Sequence, residues 1–280
     1  MSRAIRIYGV DFSGARDPSR GLYVASGTLD VEAGAFELER CEPCDDRLDV
    51  FAKLLQSPPD ALWAIDAPFA PASPAYERMG FTEWEEWLDL AAGSSRSSFL
   101  AALEEAFPAY ESPCAAYSWA CRRTDVAAGA ASPFKAVNPN LRAMSYAAWK
   151  LLSYARAAGC AVYPFDGAAG ARIAGSAPAL FEVYPSHTAR LLRGSRSLDL
   201  ERIAEPLRTA AGWVDARIAA GAAAPSRQDA ADACVACMTL AAACSAERET
   251  LRANARPSFA NSDEWNVRLR EGLIVRLSSA

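Results

Sequence analysis

Histidine is almost absent: His187 is the only one in 280 residues. That removes the imidazole clusters from which many zinc, copper and iron sites are built. Lysine is nearly as scarce, with only Lys53, Lys135 and Lys150 among 29 cationic side chains. The remaining cations are arginines, whose planar fork suits phosphate, although the many alanines make compositional bias the plainer explanation. The net charge of −5 lacks the basic excess of a dedicated nucleic-acid binder and leaves only a local basic groove open. No uninterrupted run of 18 apolar residues occurs, so no membrane span is expected. The opening MSRAIRIYGVDF runs straight into a strand pattern without the apolar core and cleavage site of a secretory signal, and a cytoplasmic location is expected. The phosphate-cradling G-x-x-x-x-G-K-[ST] loop is missing too.

What is present is an ordinary globular composition, 51% hydrophobic and 22% charged, long enough for one large domain or two small ones. Eight cysteines (Cys41, Cys44, Cys114, Cys121, Cys160, Cys234, Cys237 and Cys244) are expected to be reduced. Cys41/Cys44 and Cys234/Cys237 have C-x-x-C spacing. Zinc would require the pairs to meet in space, and the second lies in an apolar helical run where cysteine acts as a small hydrophobe, so zinc is disfavoured.

Period-two alternation and turn residues predict strands over 4–11, 22–29, 35–40, 61–66, 160–165 and 179–184, with a last short strand over 271–277. Helices are expected over 46–56, with Leu48, Phe51 and Leu55 on its apolar face, and over 82–92, 97–107, 140–158, 187–193, 199–219 and 227–245. Gly167, Gly170 and Gly175 mark a loop, and 110–139 has no clear period. The expected architecture is a single α/β domain over 1–280. A three-strand antiparallel meander is extended by parallel strands, with a helical insertion or cap at about 70–158.

Acidic residues stand where this pattern does not require them. Asp11 and Asp66 end the first and fourth strands, at the carboxyl ends where α/β sheets place their sites. A turn aspartate bonding to nearby backbone is the plainer explanation for each. Glu182 interrupts the apolar strand ALFEVY, unless that strand is an edge with one solvated acid. Asp229 completes an S-x-x-D capping box with Ser226, so a cap explains it as well as a ligand role does. Asp232 lies one turn deeper, in a helix that is apolar nearly all round, and needs compensation. Converging carboxylates repel one another, and a divalent oxygen-seeking cation such as Mg²⁺ or Mn²⁺ removes that penalty. Two such cations can serve phosphodiester hydrolysis.

The segments GVDFSGA, WAIDAPF, FEVYPSHTARLL, QDAADACVA and EGLIV, in that order, resemble a family of uncharacterised proteins predicted to be RNase H-like nucleases. DAADA also resembles the last acidic motif of RuvC-type resolvases. The resemblance spans most of the chain and is weak over about 70–178. It implies an RNase H-like fold and metal-dependent phosphodiester cleavage of a nucleic acid or nucleotide. The metal-binding aspartates would be Asp11, Asp66, Asp229 and Asp232, with Glu182 in the family's E-x-Y-P motif. Cys121-Arg122-Arg123-Thr124-Asp125 resembles an Arg-x-x-Asp element of the same family, and Arg123 is taken as an arginine that could grip phosphate, with a surface ion pair the plainer explanation. Lys135 and Arg142 are further candidates for phosphate, Ser13 for an anion at its turn, and His187 for a general base or phosphate contact, with a structural role the plainer explanation for the histidine. The same fold core serves sugar kinases and actin-like ATPases, and Asp11-Phe12-Ser13-Gly14 resembles their first phosphate loop. Their second loop and adenosine motif are missing. A nucleotide-binding phosphotransferase and a non-catalytic binding protein are therefore the alternatives.

Overall fold

Alternation along β1 (Ala4–Asp11) sends Ile5 and Ile7 to one side of a sheet and Val10 to the other. The same parity governs the strands beside it and decides which face each acid occupies. The computed structural model describes residues 4–12, 21–111, 113–137, 140–166, 177–193, 215–218, 228–252 and 255–277. β2 (Tyr23–Asp30) and β3 (Ala35–Pro43) continue β1 as an antiparallel meander. α1 (Arg47–Gln56) then leads to β4 (Leu62–Asp66), which returns parallel to β1 on its other side. Helices α2 (Ser73–Met79), α3 (Trp84–Gly93), α4 (Arg96–Ala106), α5 (Arg123–Ala128) and α6 (Leu141–Ala157) follow. Next come β5 (Ala161–Val162), β6 (Ala179–Glu182), α7 (Pro185–Arg193), β7 (Asp215–Ile218), α8 (Gln228–Arg252) and α9 (Ser262–Glu271). The seven strands lie in the order β5-β6-β4-β1-β2-β3-β7. The protein is thus an α/β fold on a mixed sheet, an antiparallel meander β1-β2-β3 extended by parallel strands at both ends, with helices on both faces.

One face is covered by α8. Its alanines and cysteines pack on Ile5, Ile7, Leu62, Ala64 and Phe181. The first 20 residues of α8, Gln228–Glu247, are long and apolar enough to cross a membrane by length and composition. Most of that stretch is buried inside the molecule, which accounts for its apolar character all round. Gly9 makes this close packing possible: a Cβ there would lie 2.2 Å from the Ala233 carbonyl oxygen and 2.4 Å from the Cys237 nitrogen. Only a residue without a side chain lets the helix backbone approach the strand so closely.

The opposite face is covered by α1 and by the helices between β4 and β5. The stretch read as an insertion shares one continuous apolar cluster with Trp63 and Ile65 of β4. Trp87 sits at its centre, with rings of Tyr76, Phe81, Phe107, Phe134 and Trp149 around it. Two indoles tie this layer to the turn after β4: Trp149 donates to the Pro68 carbonyl and Trp84 to the Phe69 carbonyl, both at 2.9 Å. Those bonds fix the exit path of the chain directly beyond Asp66.

Several local expectations need correction. In α1 the buried residues are Val50 and Leu54, while Leu48 and Leu55 are exposed, so the helix is rotated from the face its leucines suggested. Residues 160–165 pair as a strand only over Ala161–Val162. The 271–277 segment makes a single bridge, Val275 to Val183, because Gly272 ends α9 and the chain meets the sheet only briefly. The unpatterned middle region contains α5. Of the helix expected at 199–219, residues 215–218 form β7, an edge strand parallel to β3. The rest of that expectation, like the glycine loop, lies outside the described residues. Cys114 and Cys121 form a disulfide rather than two thiols, because the turn between them brings their Cα atoms to 5.4 Å. The other six cysteines are free. Cys41 touches Cys234 on the α8 face, but Cys44 belongs to the opposite face, so the two C-x-x-C pairs do not gather.

Candidate functional site

Asp11 and Asp66 are direct register partners at the ends of two adjacent parallel strands. Parity places both on the α8 face, in line with Ile7 and Ala64. The Gly9 contact then brings the start of α8 against β1, and with it Asp229 and Asp232. Burial, followed by repulsion from the carboxylates of Asp66, Asp232 and Asp229, pushes Asp11 well above the usual carboxylate range. The four aspartates named from the sequence therefore stand in one electrostatic neighbourhood. Gln228 donates to Asp232 Oδ1 at 2.9 Å, across one helical turn.

Glu182 belongs to the other side of the sheet. It follows Leu180 in β6, which packs into the cluster beneath the middle helices. There Arg122 grips it with two nearly parallel bonds, Nη2 to Oε1 at 2.5 Å and Nη1 to Oε2 at 2.8 Å. The Phe69 backbone N–H adds a third bond to Oε2 at 2.9 Å. The same guanidinium holds Asp125, with Nη2 to Oδ1 at 2.6 Å and Nε to Oδ2 at 3.0 Å, and donates to the Glu271 carbonyl at 3.1 Å. Arg122, Asp125 and Glu182 are all buried. Burial raises both carboxyls above their ordinary range, against the pull of the arginine. Glu182, expected to act with the aspartates, has both oxygens taken up by the Arg122 fork.

The arginine of the Arg-x-x-Asp element facing the interior is thus Arg122, not Arg123. Arg123 points to the surface, where it pairs with Asp263 at 3.2 Å and stacks on Tyr117 at 4.3 Å. A phosphate-gripping role for Arg123 is therefore not supported by its position. Glu271, which drew no attention in the sequence, is fully buried and accepts from the Ser73 and Arg123 N–H groups and the Tyr117 hydroxyl. An acid at the end of a helix that otherwise looks solvated, EWNVRLRE, gives no sequence signal of burial.

A cavity of about 320 Å³ joins the two groups over the carboxyl ends of β4 and β6. Asp66 and Asp232 line it from one side; Glu182, Arg122 and Asp125 line it from the other. Lys135, Leu141 and Met144 reach it from the middle region, and Tyr184, Ser186 and Ile274 complete the wall. Lys135, a substrate candidate from the sequence, therefore stands in the cavity. His187 does not: its Nδ1 lies 3.0 Å from the Ala128 carbonyl, and burial holds its pKa below the ordinary value. Ser13 lies outside the described residues. A larger cavity of about 430 Å³ lies elsewhere, beside Glu85, Arg156 and Asp166.

The donor set at the strand ends is all oxygen, which suits Mg²⁺ or Mn²⁺ and not zinc. Among the described residues, no three Asp, Glu, His or Cys side chains stand close enough together to enclose a cation as placed. The aspartates share a neighbourhood rather than a closed shell. No protein-family model matches the chain, and no curated protein or solved structure does either.

Proposed function

We propose that this chain is a divalent-metal-dependent phosphodiesterase on an RNase H-like fold. The observation that carries the reading is the register pair Asp11 and Asp66, at adjacent parallel strand ends beneath the acidic start of α8. The strand order supports the fold assignment: an antiparallel meander whose first strand is flanked by a parallel fourth strand. Asp11, Asp66 and Asp232 would hold Mg²⁺ or Mn²⁺, with Asp229 in reserve. The bound cation would supply charge neutralisation and polarise a phosphoryl oxygen. Hydrolysis adds a water oxygen to phosphorus, breaks the P–O ester bond and leaves the proton on the departing alkoxide. The chain's own part is to hold the phosphate beside Asp66 and Asp232 and to keep Lys135 near its negative charge. Arg122, locked by two carboxylates, fixes the cavity wall and is not free to follow the substrate.

The test is Mn²⁺ binding by calorimetry together with cleavage of a DNA, RNA and small phosphodiester panel, comparing wild type with Asp11→Asn. Wild type is expected to bind Mn²⁺ and cleave at least one substrate, and Asp11→Asn to lose about a hundredfold or more of both. Equal cleavage by the two proteins sinks the reading.

A further inference from the structure

The cavity has a composition that narrows its ligand. At about 320 Å³ it lies at the small end of the range of roughly 300–1,000 Å³ for small-molecule sites. Its lining mixes charged groups, Asp66, Asp232 and Lys135 beside the Arg122, Asp125 and Glu182 cluster, with apolar ones, Leu141 and Met144 at the start of α6 and Tyr184 just past β6. The six side chains named outside that cluster are partly exposed. A space of this size holds one small ligand, and a base inside a duplex reaches it only by flipping out of its stack.

Resting on the reading of the strand-end acids as a phosphodiesterase site, we infer that the ligand is a phosphoester of single-nucleoside size. Its phosphate lies between Lys135 and the acidic edge, and its flat ring lies against Met144, Leu141 and Tyr184. The middle helices thus select by size: they admit a nucleotide or the end of a single strand and exclude a base still stacked inside a duplex.

Two measurements test this separately. In the first, adenosine and thymidine monophosphates are titrated calorimetrically in 5 mM Mg²⁺, with inorganic phosphate and a 30-base-pair duplex as comparisons. The monophosphates are expected to bind at least tenfold more tightly than phosphate alone, because the apolar lining contributes. Lys135→Ala and Met144→Glu are each expected to weaken binding about tenfold, one removing a charge and the other an apolar contact. Circular dichroism checks that both variants are folded. Tighter binding of the duplex, or no binding of either monophosphate by wild type, overturns the inference. The second measurement compares turnover of thymidine 5′-p-nitrophenyl phosphate with nicking of a supercoiled plasmid. Nicking that depends on Asp11, without turnover of the small ester, overturns the size selection and leaves the phosphodiesterase standing. Monophosphate binding with no hydrolysis of either substrate overturns the phosphodiesterase and supports the ligand site.

Discussion

The two faces of the sheet handle buried acids in opposite ways. On the α8 face, Asp11, Asp66, Asp229 and Asp232 lie close enough for the last three to raise the first. On the other face, Glu182 and Asp125 are equally acidic but share the forked guanidinium of Arg122 and two backbone N–H groups. In the first group repulsion from its neighbours adds to the burial cost of Asp11; in the second the Arg122 guanidinium works against that cost. An acid that is already satisfied organises a wall, whereas acids left in mutual repulsion are poised for an added positive charge.

The largest test of this contrast is Arg122→Met. Removing the arginine strands two buried carboxylates, and the loss is expected to be about 3–5 kcal/mol in urea unfolding. A loss below about 1 kcal/mol would show that the two faces are not so different. Next is Gly9→Ala, which drives a methyl group into the Ala233 carbonyl and the α8 backbone. It is expected to cost roughly 1–3 kcal/mol, and to weaken Mn²⁺ binding by moving Asp232 away from Asp11. A stable variant with unchanged Mn²⁺ affinity would break the link between helix approach and site.

The smallest effect has the opposite sign. Asp11 is raised in the fold relative to an unfolded value of about 3.9, so the folded state keeps a proton that the unfolded state has released. Stability is therefore lost as pH climbs from about 4 through the folded-state value. Asp11→Asn is expected to remove that slope and gain on the order of 1 kcal/mol at pH 7, a few degrees in Tm, with no gain below about pH 4. Equal pH–stability curves for the two proteins would remove the repulsion from the comparison.

Sequence reasoning reached the α8 face because its signals are local. A strand ending in aspartate, and an aspartate in an otherwise apolar helix, each conflict with their immediate surroundings. Parity then accounts for the shared face of Asp11 and Asp66. The other face depends on pairings across 60 to 149 residues, such as Arg122 with Glu182 and with the Glu271 carbonyl, and no spacing encodes them. Arg122 itself is legible: it is the arginine three residues before Asp125 in the Arg-x-x-Asp element, a spacing that the choice of Arg123 overlooks. In α1 the heptad-like leucines were misleading because Val50 and Leu54, not the larger face, meet the sheet layer.

The contact of Gly9 with α8 also has a consequence in time. Cys237 of α8 donates to the Ile7 carbonyl from 230 residues further along the chain. At roughly 5–20 residues per second of synthesis, β1 waits on the order of 10–50 s for the helix that covers it. During that interval one side of the sheet is uncovered, and Asp11 and Asp66, already neighbours across β1 and β4, are hydrated. Burial and the approach of Asp229 and Asp232 come only with α8, so that part of the electrostatic cost falls on the later closure.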